Sequence, residues 1–276
     1  MEFWDDYEHN DPHLTYILEN IKTDEIERSI NDEFAGCGCE GECTPAKCSC
    51  LKRSGVKYSF SNRSMLEEYV FDITDKSKPV YECNNNCNCR EIVCGNKLVQ
   101  FGPRKNLKIV NTDALRNSDL DQNKIDINAK GLGLLTLDEI KSGNFICEYA
   151  GEVLTSSETQ RRFKTYAEMQ LRNNYIFCIN ENFGETNQKT FIDPTFYGNV
   201  GRYINHSCQP NCILVPVRVH DAIPKLCIFA KESISKNTEI TFDYGENDIC
   251  DGNKSKKPCL CFSSNCRGYL PFDGTI

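Results

Sequence analysis

The residues with the most evident chemical capacity are cysteines. Of eighteen in 276 residues, nine lie between positions 37 and 94, as Cys37-x-Cys39-x3-Cys43-x4-Cys48-x-Cys50 and then Cys83-x3-Cys87-x-Cys89-x4-Cys94. Thiols clustered at these spacings in a chain expected to be intracellular point to metal thiolates, zinc first, rather than disulfides. Nine thiolates do not divide into two four-ligand sites without one left over, whereas three tetrahedral zinc ions are satisfied by six terminal and three bridging thiolates. The Cys-x-Cys pairs favour this arrangement, because one-residue spacing turns two sulfurs toward neighbouring metals. Two ordinary four-cysteine sites with one spare thiol form the competing reading. Near the C terminus, Cys259-x-Cys261-x4-Cys266 supplies three ligands and needs a fourth. Cys208 and Cys212 are the nearest donors, and Cys208 is expected to complete a structural zinc site. Cys147, Cys178 and Cys227 sit in apolar surroundings and read as small buried hydrophobes.

The elements that must position these groups are mostly short strands. Residues 131–137, 144–149, 175–179, 225–230 and 239–244 are apolar runs bounded by turn formers, which predicts a β-rich core between two cysteine-rich regions. One helix is predicted from Thr155, where Thr155-Ser-Ser-Glu158 reads as a capping box and Phe163, Ala167 and Leu171 follow at helical spacing. A second helix is expected over 14–30. Residues 111–129 are polar and read as a long surface loop. The chain divides into an acidic segment at 1–33, a cysteine-cluster region at 34–100, a catalytic core at 101–248 and a zinc segment at 249–276.

Composition bounds the partners. The chain is 39% hydrophobic and 26% charged, without a membrane-length apolar run, so a soluble protein that does not engage a membrane is expected. Net charge is −8, and residues 1–33 alone hold eleven acidic against two basic residues. Such a balance does not support direct DNA binding by phosphate neutralisation, and it suits a basic partner. A solvated acidic arm is the plainer reading of that segment.

Gly131-Leu132-Gly133, Glu148-Tyr-Ala-Gly-Glu-Val153, Gly201-Arg-Tyr-Ile-Asn-His-Ser-Cys208, Phe242-Asp-Tyr244 and the last three cysteines resemble, in order and spacing, the SET-domain protein lysine methyltransferases. The nine cysteines ahead of them resemble the pre-SET region of the suppressor-of-variegation class. The resemblance implies a mainly β fold with some α, the SET fold of small curved sheets with a pseudoknot, flanked by zinc-thiolate pre-SET and post-SET regions. It implies three zinc ions in the first region, one in the second, and S-adenosyl-L-methionine as methyl donor. The implied partners are the histone H3 tail and chromatin, in the nucleus and on the chromosome, with the protein a monomer. Three departures stand out: x4 before Cys94 where the family has x3, Gly-Leu-Gly for Gly-Trp-Gly, and the apparent insertion at 111–129.

Site residues follow from the same resemblance. Tyr244 matches the catalytic tyrosine, Tyr149 a channel tyrosine, and Phe242 the position that sets how many methyl groups fit. Lys130, Gly131, Leu132, Gly133, Tyr175, Arg202, Asn205 and His206 match cofactor contacts. The chemistry makes sense of aromatic walls. A lysine amine with a reference pKa of about 10.4 is neutral in only roughly one molecule in 2,500 at pH 7, so a methyl-accepting site must favour deprotonation by desolvation. Asp193 is expected to make turn or hydrogen-bond contacts, and Asp243 to point away from the channel. The competing functions are a zinc-stabilised chromatin-binding module without catalysis and a methyltransferase for a non-histone protein.

Overall fold

The computed structural model describes residues 11–29, 33–54, 58–59, 64–65, 79–89, 94–112, 130–171, 173–183, 186–245 and 257–271. The expected loop lies outside these, apart from Asn111 and Thr112. Each of the five predicted strands forms. They are short because Gly, Pro, Asn and Asp interrupt the apolar runs, and they assemble into three separate four-stranded sheets instead of one. The first sheet runs Phe177–Phe183, Thr186–Asp193, Glu152–Leu154, Ile21–Lys22. The second runs Asn205–His206, Glu239–Phe242, Leu132–Thr136, Leu107–Asn111, and the third Val80–Tyr81, Cys212–Arg218, Lys225–Ala230, Phe145–Glu148.

The inward faces of the first two sheets and of part of the third share one core, with Leu134, Ile140, Ile146, Ile192, Ile204, Ile228, Ile240 and Phe242 almost fully buried. A second core of Val80, Val99, Phe145, Val217 and Phe229 lies on the third sheet. The cysteines at 37–94 gather into a third cluster in which Leu51 is the only buried aliphatic residue among those described. After His206 the chain leaves the second sheet, builds the two long strands of the third, and returns as Glu239–Phe242 to pair in parallel with the segment it left, Asn205 opposite Thr241 and His206 opposite Phe242. This crossing is the pseudoknot of the SET fold.

The segment expected as a helix over 14–30 folds differently. Thr15–Tyr16 pairs with Tyr197–Gly198, Ile21–Lys22 pairs with Glu152–Val153, and only Asp24–Ser29 is helical, as α1. Strand edges on the core offered backbone partners that outweighed a modest helical propensity. Nor are these residues a free arm. Asn20 accepts from Gly151 N at 3.0 Å, Ile21 N donates to Gly151 O at 2.9 Å, and Glu19 joins the buried Glu148 on Lys225 at 2.8 and 2.9 Å. Burial opposes the charge on Lys225, but the two carboxylates outweigh it and raise its pKa.

A short helix, α2 (Ser49–Arg53), carries Cys50 into the thiol cluster. The predicted long helix, α3, spans Ser156–Glu168. Thr155 Oγ1 accepts from Glu158 N at 3.2 Å, so half of the capping box forms. The Glu158 carboxylate turns instead to Arg161 and Arg162. Gln170, at φ 56°, ends the helix, with Leu171 N donating to Tyr166 O and Gln170 N to Ala167 O. The buried face differs from the expected apolar stripe: Ala167 and Leu171 are exposed, and Thr159, Arg162 and Tyr166 face inward. Arg162 reaches Glu152 at 2.6 Å and the fully buried Asp193 at 2.8 Å, and Tyr166 donates to Asp193 at 2.7 Å. Asp193 therefore has the hydrogen-bonding role its sequence context indicated.

Gly151 is the point where the N-terminal segment, the first sheet and the turn after Asp193 meet. A Cβ there would stand 2.6 Å from Asp193 C and 2.7 Å from Pro194 N, both backbone atoms that cannot step aside. Gly151→Ala is expected to destabilise the protein by about 1–3 kcal/mol through overpacking. Denaturant unfolding checks this, and a variant with the wild-type midpoint would refute the contact.

Candidate active site and metal centres

The parallel crossing brings together the ends of motifs that lie far apart in the chain. Tyr149 follows the strand Phe145–Glu148, Phe177 opens a strand of the first sheet, and Phe242 and Tyr244 end the last strand. Their rings meet at centroid separations of 5.9 Å for Tyr149–Phe177, 6.0 Å for Phe177–Phe242, 6.1 Å for Tyr149–Phe242 and 5.0 Å for Phe242–Tyr244. Tyr149 O–H donates to Tyr175 O at 2.7 Å, and Tyr244 O–H donates to Ile204 O at 2.9 Å. Phe242 is 1% exposed, whereas Tyr244 keeps 37% of its surface open. Burial raises the pKa of both tyrosine hydroxyls, so they are neutral donors near neutral pH. An aromatic wall of this kind excludes water from a cation and offers it ring faces.

Behind Tyr244 stands His206. Its Nδ1 accepts from Tyr244 N at 3.2 Å, which places the ring proton on Nε2, 3.2 Å from Cys208 Sγ. Burial, with Arg267 and Lys130 adding to it and Asp243 opposing, holds its pKa down at about 4, so the ring is neutral. Asp243 does point away from the channel, toward Arg267, which donates to it at 2.5 Å and to Gly245 O at 3.1 Å.

The residues matched to the cofactor lie to one side of this wall. The Arg202 guanidinium stacks 4.3 Å over the Tyr175 ring, held by Pro194 O at 3.1 Å. Asn205 donates to Leu132 O, and Lys130 is paired with Glu239. Gly131, at φ +82°, has no described atom within 4 Å of where a Cβ would stand, and Leu132 is 52% exposed beside it. The open backbone, an apolar side chain, a stacked aromatic and the amide of Asn205 fit a nucleoside bearing an amino acid.

The thirteen expected ligand cysteines are all described; eleven fall into four-membered groups whose sulfurs lie within 4.8 Å of one another, and Cys87 and Cys94 stand beside Cys50 and Cys43. Three such groups are Cys37, Cys48, Cys50, Cys83; Cys37, Cys39, Cys43, Cys48; and Cys37, Cys43, Cys83, Cys89. The fourth is Cys208, Cys259, Cys261, Cys266, whereas Cys212 is buried in the main core. A tetrahedral zinc with bonds of about 2.3 Å requires sulfurs about 3.8 Å apart. The sulfurs lie 3.7 Å apart for Cys50–Cys87 and Cys43–Cys94, 3.8 Å for Cys43–Cys83, and 3.9 Å for Cys48–Cys83 and Cys208–Cys259. The donor set therefore fits zinc, and the longer spacing before Cys94 leaves that thiol inside the cluster. Backbone N–H groups of Cys37 and Asn84 point at Cys87 Sγ, and those of Asn96, Arg267 and Gly268 at Cys94, Cys208 and Cys266, donors that stabilise thiolate charge. Cys147 and Cys227 are buried as expected, and Cys178 is only half-buried.

Three contributors escaped the sequence reading: Phe177, Glu239 and Arg267. Phe177 looks like any strand aromatic, and its signal lay only in its place two residues after Tyr175. Glu239 and Arg267 are ordinary surface-type charges in sequence, and nothing but the fold brings them to the site.

These features define a SET-type site fed by a pre-SET thiolate cluster. The SET domain family matches residues 131–245, and the Pre-SET motif matches residues 2–97. The probable histone-lysine N-methyltransferase set-23 of Caenorhabditis briggsae is 40% identical over 244 residues, covering 87% of this chain and 89% of that protein. The crystal structure of the methyltransferase domain of human histone-lysine N-methyltransferase SETMAR superposes with a TM-score of 0.73 at 34% identity, covering 98% of this chain and 93% of that one. A structure of KRYPTONITE in complex with mCHH DNA, H3(1-15) peptide and SAH gives a TM-score of 0.69 at 27% identity, over 94% of this chain and 48% of that one. The chain belongs to the pre-SET-bearing SET-domain family of protein lysine methyltransferases.

Proposed function

We propose that this chain transfers methyl groups to a lysine of the histone H3 tail, on chromatin in the nucleus, and carries the amine to the di- or trimethyl state. The observation that carries the reading is the convergence of Tyr149, Phe177, Phe242 and Tyr244 beside the His206 and Asn205 cluster. S-adenosyl-L-methionine supplies an electrophilic methyl group and a sulfonium charge. Lys130, Gly131, Leu132, Gly133, Tyr175, Arg202, Asn205 and His206 hold it. Tyr149, Phe177 and Phe242 desolvate the incoming lysine, favouring its neutral form and aligning it for in-line attack. The Tyr244 hydroxyl orients the amine, while His206 fixes the Tyr244 backbone. H3 is favoured as substrate by the relative seen with an H3 peptide. A peptide array with labelled cofactor tests this, and labelling of non-histone peptides alone would defeat it.

Zinc completes the fold in this reading. The three pre-SET groups share Cys43, Cys48 and Cys83 pairwise, the pattern of bridging thiolates, and Cys37 lies in all three. Cys37 with Cys39, Cys50 with Cys87, and Cys89 with Cys94 then serve as terminal ligands, and Cys208, Cys259, Cys261 and Cys266 hold a fourth ion. The proposed division places the pre-SET cluster at 34–100, catalysis at 101–248 and the post-SET site at 249–276. Metal analysis is expected to find about four zinc ions per chain, from the ligand count. Two or fewer in folded, active protein would eliminate the trinuclear assignment.

Tyr244→Phe should nearly abolish methyl transfer while leaving S-adenosylhomocysteine binding close to normal, since it removes one hydroxyl and no pocket wall. His206→Ala should instead weaken binding. Calorimetry alongside a methylation assay separates them, and a fully active Tyr244→Phe enzyme would overturn the role.

Phe242 governs the product state. It packs at 5.0 to 6.1 Å from three other rings, without a polar atom of its own. A tyrosine hydroxyl there would hold water or the amine and oppose its rotation for another transfer. Phe242→Tyr is expected to shift products toward monomethyl while keeping the first transfer. Mass spectrometry of a single-lysine peptide over time decides it, and an unchanged product distribution would count against the assignment.

A further inference from the structure

Glu239 stands among the cofactor-side residues, yet no motif points to it. Its Oε1 and Oε2 accept from Lys130 Nζ at 2.7 and 2.6 Å, and Oε1 also accepts from Asn205 Nδ2 at 2.9 Å. Asn205 Nδ2 donates as well to Leu132 O at 3.0 Å. A carboxylate and a carbonyl accept and cannot donate, so the amide fits in one of its two flips only, with its NH2 toward Glu239 and Leu132 and Oδ1 turned away. Packing enforces the arrangement. A Cβ on Gly133 would stand 2.4 Å from Thr112 Cγ2 and 2.8 Å from both Asn205 Nδ2 and Glu239 Oε1, so the glycine is what lets these groups close up.

We propose that Glu239 is a positioning residue for the cofactor: it locks the Asn205 amide so that Oδ1 presents an acceptor to an N–H donor of the cofactor, an amine or ammonium rather than its carboxylate. The inference rests on the assignment of Asn205 to the cofactor site. It also makes the hydrogen bond reversible by design. Asn205→Asp alone sets two carboxylates where the contact measures 2.9 Å, which repels. Adding Glu239→Gln relieves that repulsion, because Gln Nε2 donates to Asp, and leaves an acceptor facing the cofactor; the Asp oxygen still meets Leu132 O, so the recovery is partial.

Calorimetric titration of S-adenosylhomocysteine into the full chain tests this with Asn205→Ala, Asn205→Asp, Glu239→Ala and the Asn205→Asp/Glu239→Gln double variant, each checked for folding by circular dichroism. Both Asn205 variants are expected to lose about tenfold or more in affinity, in line with hydrogen bonds to charged groups. Glu239→Ala, which removes the acceptor that orders the amide, should lose about threefold or more, and the double variant should bind more tightly than Asn205→Asp. Wild-type affinity in Asn205→Ala would sink the assignment of Asn205 to the cofactor. Weak binding in Asn205→Ala with no recovery in the double variant would overturn the Glu239 proposal alone. Should the double variant not fold, Glu239→Ala decides: wild-type affinity overturns the proposal, because the lock is then absent without effect.

Discussion

The centre of the molecule depends on one short parallel pairing, Asn205–His206 against Thr241–Phe242. Parallel strands cannot be joined by a tight turn, so the intervening residues have to travel, and they do so by forming the hairpin Cys212–Arg218 and Lys225–Ala230 in another sheet. Two residue pairs do not hold a sheet by themselves. Side chains supply the rest: Asn211 donates to Glu239 O at 2.8 Å and accepts from Thr241 N at 2.9 Å, and Ser207 N donates to Phe242 O at 3.1 Å. Because the pairing fixes His206 beside Phe242, it sets the cofactor-side and channel-side residues at one distance from each other. The sheets around it act as a frame for that register.

The cysteine clusters answer a different constraint. Among the described residues, Leu51 is the only aliphatic one buried with the nine pre-SET thiols, too little apolar surface to order that cluster through the hydrophobic effect. Thiols at metal-bonding spacing stand where that core is missing, and a metal held there would make its affinity part of folding stability. The neighbouring fold adapts to this. Asn84 accepts from Asn86 N while its own N–H points at Cys87 Sγ, so loop polar groups serve the sulfurs instead of a ladder.

How legible all this was depends on where each signal resides. Strand positions, the start of α3, the clustering of the cysteines and the meeting of Asn205, His206, Phe242 and Tyr244 were readable, because local pattern or motif spacing carries them. What failed to show was long-range. Residues 14–22 have helical spacing, but strand edges on the core took them, and Leu18 and Ile21 end up exposed at 42% and 39%. Of the stripe Phe163, Ala167, Leu171 only Phe163 is half-buried, because Arg162 and Tyr166 anchor α3 to Asp193, an attachment invisible to hydrophobic periodicity. Phe177, Glu239 and Arg267 belong to the site by contact alone.

Those contacts bear on how the metal region and the channel communicate. Cys208 Sγ meets His206 Nε2 at 3.2 Å and accepts from Arg267 N at 3.3 Å; His206 Nδ1 accepts from Tyr244 N at 3.2 Å; and the Arg267 side chain reaches Asp243 and Gly245 on either side of that tyrosine. A neutral imidazole is what this requires, since it must accept at one nitrogen and donate at the other, and burial supplies the neutrality by holding the pKa near 4. Had the ring been protonated, Nδ1 would face the Tyr244 N–H as a second donor, and the backbone that carries the tyrosine would be released. The thiolate ligand, the histidine and the tyrosine thus form one hydrogen-bonded line, in which a polar group displaced at the C-terminal cysteines alters the partner of the next. The separation of roles along the chain, metal at its end and channel in its middle, disappears at this line, because the same imidazole belongs to both.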